Sequence, residues 1–450
     1  MNKIVLIGAG SSSFARQLLM AMFSYSNVKD SIFVLHDIDN NKLDFTYDFT
    51  KKLIEQENTK AKVIKTLSLE EALENATFVI TAFTVGGMQA WEKDLSIPLK
   101  YGVDQDAGDT MGPGGLFRAM RDIPVLVNIA KKMEELCPKA LLLNYSNPLA
   151  PMIKAVKETT SINVVGLCYA VQYTVAQLLG FLGEDKWISH PNENKKRHDI
   201  VNSKISENVE FEFAGINHMT WITKLSLNGE DLYPRIRELI NDEKVQKEDL
   251  VRLELLKTFD YFCTVNHWHL SDYLPYFKKN EKLTKKFLPI RWDLLNLERE
   301  KVKLMTKQME DEISGKVKIP VKQNIFNAPK IINAIINNEK TRVNINTNND
   351  NYVPNLPLES IVEIPAFVDK NGIKPCSVTN LPNACATLNK TNILFQELLV
   401  EGVLKRDLKL LKQALCFDPL SSAVCTLEEI SDMFDEMYED QKEFLDSSFT

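Results

Sequence analysis

The sequence predicts an α/β protein in two parts: a doubly wound parallel sheet over the N-terminal part, followed by a domain of mixed α+β structure. Two observations lead to this prediction. Up to Pro191, short apolar runs alternate with helical segments, and continuously apolar runs are typical of strands buried on both faces of a parallel sheet. After Pro191, apolar and polar residues alternate, which is typical of antiparallel strands. We therefore place the domain boundary between residues 195 and 196.

Six short runs are predicted as the strands of the N-terminal sheet, with helices in the intervals between them. The strands are 3–7, 31–35, 62–66, 78–83, 141–143 and 163–167. The helices are 12–25, 42–57, 67–74 and 123–136, and Ser68 is the predicted cap of the third helix. This alternation of strand and helix predicts βαβ units.

The C-terminal part is predicted to begin with a polar surface loop at residues 192–198 and a pair of antiparallel strands. The pair covers 209–214 and 220–227, and Asn228-Gly229 is a turn signal. The remaining predicted elements are strands at 342–346 and 360–367 and helices at 244–266, 294–315, 390–404, 408–416 and 427–444, the last behind a Thr426 cap.

Composition and charge narrow the functional classes. The chain of 450 residues is 44 % hydrophobic and 26 % charged, which matches a globular protein with a large core. Lys and Arg number 54 against 61 Asp and Glu, and the net charge of −7 argues against a nucleic-acid-binding protein. We find no apolar stretch that predicts a membrane span or a signal peptide. The seven scattered cysteines predict a reducing, cytoplasmic location.

The first strand and helix are joined by a glycine turn that is typical of dinucleotide sites. Gly8 and Gly10 lie where backbone N–H groups can approach a pyrophosphate, although Ser13 replaces the usual third glycine. Asp37 follows the second strand, where a carboxylate can accept hydrogen bonds from ribose hydroxyls and repel a 2′-phosphate. These residues predict NAD binding. The alternative is a simple strand–turn–helix with an incidental Asp.

Residues 104–121 form a glycine-rich segment with a predicted functional role. Four glycines and a proline precede a helix predicted to begin near Leu116; they are Gly108, Gly112, Pro113, Gly114 and Gly115. Asp109 lies in the loop, and Arg118 lies one turn into the helix. A glycine-rich loop before a helix can bind an anion or approach a substrate through its backbone. A flexible connection is the alternative.

Two asparagines follow the predicted strand 141–143. Asn144 and Asn147 lie at the edge of the sheet where dinucleotide and substrate meet in folds of this kind. An amide can donate to one sugar hydroxyl while it accepts from another, which suits a carbohydrate ligand. An Asn-Pro turn without a functional role is the alternative.

Cysteine and histidine residues offer further candidates. Cys168 ends the last predicted N-terminal strand and His218 follows much later, but most cysteines in apolar runs are core residues and this spacing does not establish a metal site. His267 and His269 are two residues apart, so on a strand they would share one face, where they could bind a metal or form a polar–aromatic wall. The segment 273–277 is predicted as a pocket lining or as core.

Taken together, these motifs resemble the NAD- and manganese-dependent glycosidases of glycoside hydrolase family 4, over essentially the whole chain. The loop DTMGPGGLFR at 109–118 is similar to that of the family's α-galactosidase and α-galacturonidase-like branch. The other matching segments are 8–11, 82–87, 144–148, 166–168, 215–218, 273–277 and 362–372. The resemblance implies a lactate/malate dehydrogenase-like fold, with a Rossmann-type NAD-binding domain at 1–195 and a substrate-binding and oligomerisation domain at 196–450. It also implies a homodimer or homotetramer.

The resemblance assigns roles to individual residues. The implied metal ligands, for Mn²⁺ or another divalent ion, are Cys168 and His218. The implied catalytic residues are Tyr273, Asp109 and Tyr169. The residues implied for cofactor binding are Gly8, Gly10, Ser11, Asp37 and Asn144, and those for substrate binding are Asn147 and Arg118.

Two segments depart from the sugar-hydrolysing branches of the family. Tyr169 replaces the usual His after the metal cysteine, and residues 264–269 read Thr-Val-Asn-His-Trp-His in place of Thr-Glu-Ser-Ser-Glu-His. These departures replace residues that, in the family, supply the leaving-group acid and part of the sugar-binding wall. Because the phospho-sugar branches normally carry Asp or Asn at the position of Tyr169, the resemblance implies a non-phosphorylated substrate.

The implied reaction is the hydrolysis of a small α-glycoside: an α-galactoside, an α-galacturonide or an α-glucoside. Hydride passes from C3 of the sugar to NAD⁺, the C2 proton is removed, the C1 substituent leaves, water adds at C1, and hydride returns to C3, with a metal ion assisting. Two alternatives remain open. One is an oxidoreductase that releases NADH, and the other is a non-catalytic homologue that binds NAD and sugar.

Overall fold

A computed structural model describes residues 1–189, 204–290 and 293–449 of the chain. The predicted boundary at 195/196 and the predicted loop at 192–198 lie outside these residues. The described residues form one continuous sheet of 13 strands and a separate pair of strands, with helices packed on the sheet. None of the helices in this described part is both long enough and apolar enough to cross a bilayer.

The strands follow the predicted order along the chain. They are β1 (Lys3–Ile7), β2 (Ile32–His36), β3 (Lys62–Thr66), β4 (Phe78–Thr81), β5 (Leu141–Asn144), β6 (Val164–Gly166), β7 (Ile188–Ser189), β8 (Lys204–Ile205), β9 (Val209–Ile216), β10 (Met219–Leu227), β11 (Glu230–Asp231), β12 (Phe262–Cys263), β13 (Thr341–Asn348), β14 (Ile361–Asp369) and β15 (Gly372–Pro375).

The helices cover the faces of the sheet and form most of the C-terminal end of the chain. They are α1 (Phe14–Phe23), α2 (Asn40–Glu57), α3 (Leu69–Leu73), α4 (Gly87–Lys100), α5 (Gly112–Leu136), α6 (Leu149–Thr159), α7 (Ala170–Phe181), α8 (Tyr233–Glu238), α9 (Glu243–Glu248), α10 (Leu250–Phe259), α11 (His267–Ser271), α12 (Glu281–Phe287), α13 (Leu294–Ile313), α14 (Asn327–Asn337), α15 (Asn383–Lys405), α16 (Leu408–Leu415), α17 (Pro419–Val424) and α18 (Leu427–Gln441).

The N-terminal strands confirm the predicted doubly wound parallel sheet. Their order across the sheet is β3-β2-β1-β4-β5-β6, and all five neighbouring pairs are parallel. The strand order reverses between β1 and β4, and the carboxyl ends of strands at such a reversal open onto a crevice where ligands bind. β1, β4 and β5 are almost completely buried, which explains their continuously apolar sequences.

The C-terminal strands extend the same sheet in antiparallel fashion. β13 pairs with β6 through Asn346 and Gly166, and the sheet continues through β14, β9, β10 and β11. The hairpin of β9 and β10 is therefore carried to the same end of the sheet as the segment that follows β6. This continuity brings residues from both halves of the chain into one site.

Two predicted helices have different bounds in the structure. The helix predicted at 244–266 is wrong as a single element: it is divided into α9, α10 and the short strand β12, because Asp249 has non-helical backbone angles and caps α10, and Asp260 ends α10 in the left-handed region. The helix predicted near Leu116 begins at Gly112 instead, with Pro113 in its first turn, where the missing N–H of proline costs nothing.

Candidate active site

The turn after β1 brings together four of the residues predicted to bind a cofactor. Gly8 has φ +84°, and a Cβ atom there would lie 2.2 Å from the backbone oxygen of Ala82, so the turn packs directly against the segment after β4. The backbone N–H of Gly10 donates to Asp37 Oδ2 at 2.7 Å. Ser11 Oγ accepts from the N–H of Phe14 at 3.0 Å, at the first residue of α1. The glycines, Ser11 and Asp37 thus lie together at the amino end of α1.

Asn144 has a different environment from the other four. Its side chain is completely buried and its Oδ1 accepts from Thr81 Oγ1 at 2.8 Å and from the N–H of Ser146 at 3.1 Å. Its Nδ2 donates to the carbonyl of Ser146 at 3.0 Å. These bonds fix the turn between β5 and α6, and a direct contact between Asn144 and a cofactor stays a prediction.

A methyl group at Gly10 should weaken NAD binding at this turn. The Cβ of Gly10→Ala would lie 2.8 Å from both Asp37 Oδ2 and Lys42 Cβ, so we expect Asp37 to be displaced and the dissociation constant of NAD⁺ to rise at least tenfold. Isothermal titration with NAD⁺ measures the effect. Gly180→Ala is the matched control, because a Cβ at this helical position meets nothing within 4 Å and should leave NAD⁺ affinity unchanged. Equal affinities in the two variants would contradict an NAD site here.

The glycine-rich segment packs the start of α5 tightly against the loop that carries Asp109. A Cβ atom on Gly115 would lie 2.3 Å from the backbone carbon of Thr110, and one on Gly114 would lie 2.6 Å from the carbonyl oxygen of Gly108. The glycines therefore allow a close backbone approach between helix and loop. These contacts fix the loop in place, and they argue against the alternative of a flexible connection at residues 108–115.

Asp109 lies at the centre of a group of polar side chains from several elements. Its Oδ1 accepts from Thr110 Oγ1 at 2.9 Å and lies 3.1 Å from His269 Nε2. Its Oδ2 accepts from Asn147 Nδ2 at 2.8 Å. Arg118 Nε in turn donates to the backbone carbonyl of Asn147 at 3.1 Å. Three predicted site residues are thus connected through hydrogen bonds of Asn147, which contacts both Asp109 and Arg118.

His218 and Tyr273 adjoin Asp109 and His269 in the same cluster. His218 Nδ1 lies 3.1 Å from Tyr273 Oη, and the rings of His218 and His269 are 4.6 Å apart between centroids. One potential ligand atom each of Asp109, His218 and His269 lie within 4.8 Å of one another. Imidazole nitrogen and carboxylate oxygen are common ligands of divalent transition metals. These three side chains can therefore hold a metal ion, and all of them are buried or nearly so.

Cys168 lies beside this cluster, two residues beyond β6. Its Sγ accepts from the N–H of Ala170 at 3.4 Å, at the first residue of α7. Burial raises the pKa of the Cys168 thiol to about 12, and the negative charges of Glu363 and Asp109 act in the same direction. The group of three potential ligands found among the described residues does not include Cys168, so its role as a metal ligand stays a prediction.

The pKa values of the two histidines are shifted in opposite directions by their surroundings. Burial and the neighbouring His269 together lower the pKa of His218 to about 3 against the opposing charge of Asp109, so its imidazole is neutral and can donate a lone pair to a metal. Burial also opposes the charge on His269, but Asp109 outweighs it and raises the pKa of that imidazole. Burial opposes the charge on Asp109 as well, yet His269, His218 and Arg118 hold its pKa well below the usual range.

Tyr273 and Tyr169 occupy opposite kinds of surroundings. Tyr273 is completely buried, and this burial, with the charge of Asp109, raises the pKa of its phenol well above the usual value. Tyr169 is 37 % exposed, precedes α7, and packs edge-on against Phe326 with ring centroids 5.5 Å apart. Phe326 also contacts Phe14 of α1 and Tyr145, so this aromatic group connects the turn after β1 with the Cys168 segment.

His269 is a site residue that the sequence did not assign. The prediction placed His267 and His269 on one strand face, which is wrong because both lie in helix α11, where residues two apart point in different directions. His269 is directed at Asp109, whereas His267 Nδ1 lies 3.9 Å from Asp249 Oδ1. Asn266, whose side chain accepts from the N–H of His269, is the helix-capping signal that could have predicted this helix.

The chain is similar to known proteins over nearly its whole length. Models of the family 4 glycosyl hydrolases and of their C-terminal domain match residues 3–184 and 213–421. An α-galactosidase of Bacillus subtilis is 34 % identical over 97 % of this chain and 98 % of its own length. The crystal structure of a putative glucosidase from Bacillus subtilis superposes with a TM-score of 0.81, at 25 % identity, over 97 % of this chain and 99 % of that one. The structure of a 6-phospho-β-glucosidase from Thermotoga maritima with manganese, NAD⁺ and glucose-6-phosphate has a TM-score of 0.78, at 22 % identity, over 98 % and 99 % of the two chains.

Proposed function

The chain belongs to family 4 of the glycosyl hydrolases, and from this membership we propose that it hydrolyses a small, non-phosphorylated α-glycoside with NAD and a divalent metal, of which Mn²⁺ is the first candidate. An α-galactoside is the leading substrate class, with α-galacturonides and α-glucosides as the others. The single observation that carries this proposal is the convergence of Asp109, His218 and His269 within 4.8 Å of one another, with Tyr273 in hydrogen-bond contact. Such a group gives one buried point where a sugar oxygen can meet a cation and a base.

The residues around the first turn fit a dinucleotide. The first turn of α1 contains no acidic residue, so the positive end of the helix dipole is available to a pyrophosphate. Asp37 accepts from Gly10 and from the N–H of Asp39, which orients its carboxylate at the end of β2 for a ribose. A carboxylate there disfavours the 2′-phosphate of NADP.

The metal-binding side chains also fit the expected chemistry. The carboxylate of Asp109 is a ligand type that suits Mn²⁺, the two imidazoles can bind divalent transition metals in general, and Cys168 would supply a softer fourth donor next to them. Because burial raises the pKa of the Cys168 thiol, this cysteine becomes a thiolate ligand only when a cation displaces its proton. With NAD and a metal ion in place of the usual pair of carboxylates, a dehydrogenase-like fold can act on glycosides.

When bound, NAD⁺ supplies a hydride acceptor for the sugar and the divalent metal supplies a Lewis acid for its oxygens. Asn147 and Arg118 bind and orient the sugar hydroxyls, since Asn147 donates to Asp109 and Arg118 donates to the backbone carbonyl of Asn147. Tyr273 Oη, as a phenolate, is the group that would accept the C2 proton of the sugar, and the positive charge of a bound divalent cation would offset the burial that raises its pKa. Tyr169, which is 37 % exposed and precedes α7, is the residue proposed to contact the leaving group. Residues 1–195 chiefly bind NAD, and residues 196–450 contribute His218, His269 and Tyr273 and mediate assembly.

Two further properties belong to this proposal. We expect a homodimer or homotetramer, as the sequence resemblance implies. We also expect a cytoplasmic location, which is supported by the seven cysteines, all described and all free, because free thiols persist in a reducing compartment. Oxidation of Cys168 should then inactivate the enzyme.

Hydrolysis in D₂O tests the proposed function. The purified chain with NAD⁺, Mn²⁺ and thiol is assayed on p-nitrophenyl α-galactoside, α-galacturonide, α-glucoside and a 6-phosphorylated α-glucoside. We expect turnover of a non-phosphorylated substrate, loss of turnover after chelation, recovery with Mn²⁺, and deuterium at C2 of the released sugar. Deuterium enters at C2 because the proton removed from C2 exchanges with the solvent. Direct hydrolysis does not break the C2–H bond and therefore introduces no deuterium there.

Three results would contradict the proposal, each in a different way. Turnover that persists after chelation would show that the reaction does not need a metal ion. Stoichiometric growth of absorbance at 340 nm would identify an oxidoreductase that releases NADH. Tight NAD⁺ binding without turnover of any glycoside would identify a non-catalytic homologue.

A further inference from the structure

We propose that Lys278 is a positioning residue, which fixes the two chain segments that carry the catalytic cluster relative to each other. This inference rests on the proposed function only for the identity of the metal that the cluster holds. Lys278 lies outside the cluster, and its side chain is 1 % exposed. The Lys278 cluster consists of Lys278, Asp106 and Asp272.

All three ammonium hydrogens of Lys278 have an acceptor in the protein. Lys278 Nζ donates to Asp106 Oδ2 at 2.5 Å, to Asp272 Oδ1 at 2.8 Å and to the carbonyl oxygen of Asp104 at 2.9 Å. An ammonium group has three donors and no acceptor, so its hydrogen bonds are complete. Burial opposes its charge, but the two carboxylates outweigh burial and raise the pKa of Lys278.

The Lys278 cluster joins two segments that are distant in the sequence. The carboxylate of Asp272 also accepts from the backbone N–H of Asp106, at 3.2 Å, and from that of Ala107, at 3.1 Å. Residues 104–107 are therefore bound to residues 272–278 through the lysine and through backbone amides at once. Hydrogen bonds of this kind, in which one partner is charged and water is excluded, are among the strongest in proteins.

The two joined segments carry opposite sides of the proposed metal site. Asp109 lies three residues beyond Asp106, while Tyr273 follows Asp272 and His269 lies in the preceding helix turn. The contact of Asp109 with His269 is 3.1 Å long, so a relative shift of the segments by about 1 Å would break it, and a misplacement of that size can cost about 100-fold in rate. The Lys278 cluster therefore sets the distance between the carboxylate and imidazole ligands.

Removal of the lysine should affect the metal site by changing the relative position of the two segments, and not by introducing a new negative charge. Burial already raises the pKa of Asp106 to about 6 despite the attraction of Lys278. Without the lysine, the carboxyl of Asp106 is expected to take up a proton, because an unpaired buried carboxylate is costly. The segments then lose three bonds while the metal ligands themselves stay intact.

Manganese binding to Lys278→Met tests the inference directly. The full-length chain is titrated with Mn²⁺ in the absence of substrate, and free Mn²⁺ is followed by electron paramagnetic resonance. We expect the Mn²⁺ dissociation constant to rise at least tenfold, as it does when groups that orient metal ligands are removed. We expect kcat to fall about 100-fold and the NAD⁺ dissociation constant to change less than twofold, since the turn after β1 does not contact the Lys278 cluster.

Lys154→Met is the matched control. Lys154 is also buried, with 9 % of its side chain exposed, and it donates to the carbonyl of Glu359 and pairs with Glu158 and Glu397 at 3.2 and 2.8 Å. Its loss should lower the melting temperature and leave Mn²⁺ affinity unchanged. If Lys278→Met lowers the melting temperature as Lys154→Met does and binds Mn²⁺ like the wild type, Lys278 has only a structural role and the inference is overturned.

A second variant keeps the test decisive if Lys278→Met does not fold. Asp106→Ala removes one of the three acceptors and leaves the bonds to Asp272 in place, and the same readouts apply. Weaker Mn²⁺ binding supports the inference, and unchanged binding overturns it. Because Mn²⁺ binding is measured without turnover, a wild-type chain that binds Mn²⁺ and hydrolyses no glycoside would overturn the proposed function and not this inference.

Discussion

His269→Ala is expected to lower kcat for glycoside hydrolysis at least about 1000-fold and to weaken Mn²⁺ binding by two orders of magnitude or more. His269 Nε2 contacts Asp109 at 3.1 Å, and His269 is one of three side chains whose potential ligand atoms lie within 4.8 Å of one another. The alanine removes one potential ligand and leaves Asp109 buried without its imidazole partner. A loss larger than the 10–100-fold typical of orienting groups is therefore expected. Mn²⁺ titration and steady-state kinetics measure the two effects.

His267→Ala is the control for this prediction, because it alters the same helix two residues away. His267 is also buried, but it lies towards Asp249 and packs against Trp268. We expect His267→Ala to lower the melting temperature and to leave Mn²⁺ affinity within twofold of the wild type. Equal Mn²⁺ affinity in His269→Ala and the wild type would show that the metal lies elsewhere.

Arg121→Met is expected to lower the free energy of unfolding by about 3–5 kcal/mol, the usual cost of leaving one member of a buried ion pair without its partner. Arg121 donates to both oxygens of Asp94 at 3.0 and 2.5 Å, and the two side chains are 1 % and 0 % exposed. Gln441 joins the same group, which connects α4, α5 and α18. Urea unfolding at constant protein concentration measures the loss.

The pH dependence of Arg121→Met provides an independent check. Burial raises the pKa of Asp94 even beside Arg121, and without the guanidinium the pKa should rise further. A carboxyl whose folded pKa lies above its unfolded value binds its proton more tightly in the folded state, so stability falls as pH rises between the two values. The variant should therefore lose less stability at pH 5 than at pH 7.

Two comparison variants make the Arg121 result interpretable. Arg121→Met combined with Asp94→Leu removes both charges and should recover much of the loss, since a buried pair can be replaced by apolar groups at little cost. Lys100→Met breaks an exposed pair with Glu436 and should change stability by about 0–1 kcal/mol. A loss in Arg121→Met as small as that in Lys100→Met would contradict the prediction.

The sequence pattern determined the N-terminal sheet because burial on both faces leaves a local signature. Each of β1, β4 and β5 is apolar at nearly every position and is buried at nearly every position. The predicted Ser68 and Thr426 caps are also confirmed, and both accept from a backbone N–H three residues later. Such caps are local interactions, so the sequence contains the whole signal.

The glycines of the glycine-rich loop have a packing role in addition to the predicted functional one. Its glycines were predicted to serve a ligand, and the resemblance to family 4 rested partly on them. Gly114 and Gly115 lack side chains because α5 approaches the backbone of Gly108 and Thr110 closely. This packing holds Asp109 in the site, so the motif is tied to function through the position of its aspartate. Packing of this kind involves two backbone segments at once, so no periodic pattern in the sequence predicts it.

By itself, the sequence determined the doubly wound sheet, the tight turn at Gly8 and Gly10 after the first strand, and the family, because those depend on local spacing and on motifs. Only the tertiary structure decided that Asp109, His218 and His269 meet, and that His267 turns away. These residues come from a loop, a hairpin and a short helix in different parts of the chain. Side chains converge through the pairing of β6 with β13 and of β9 with β14, and contacts between distant strands leave no trace in local sequence.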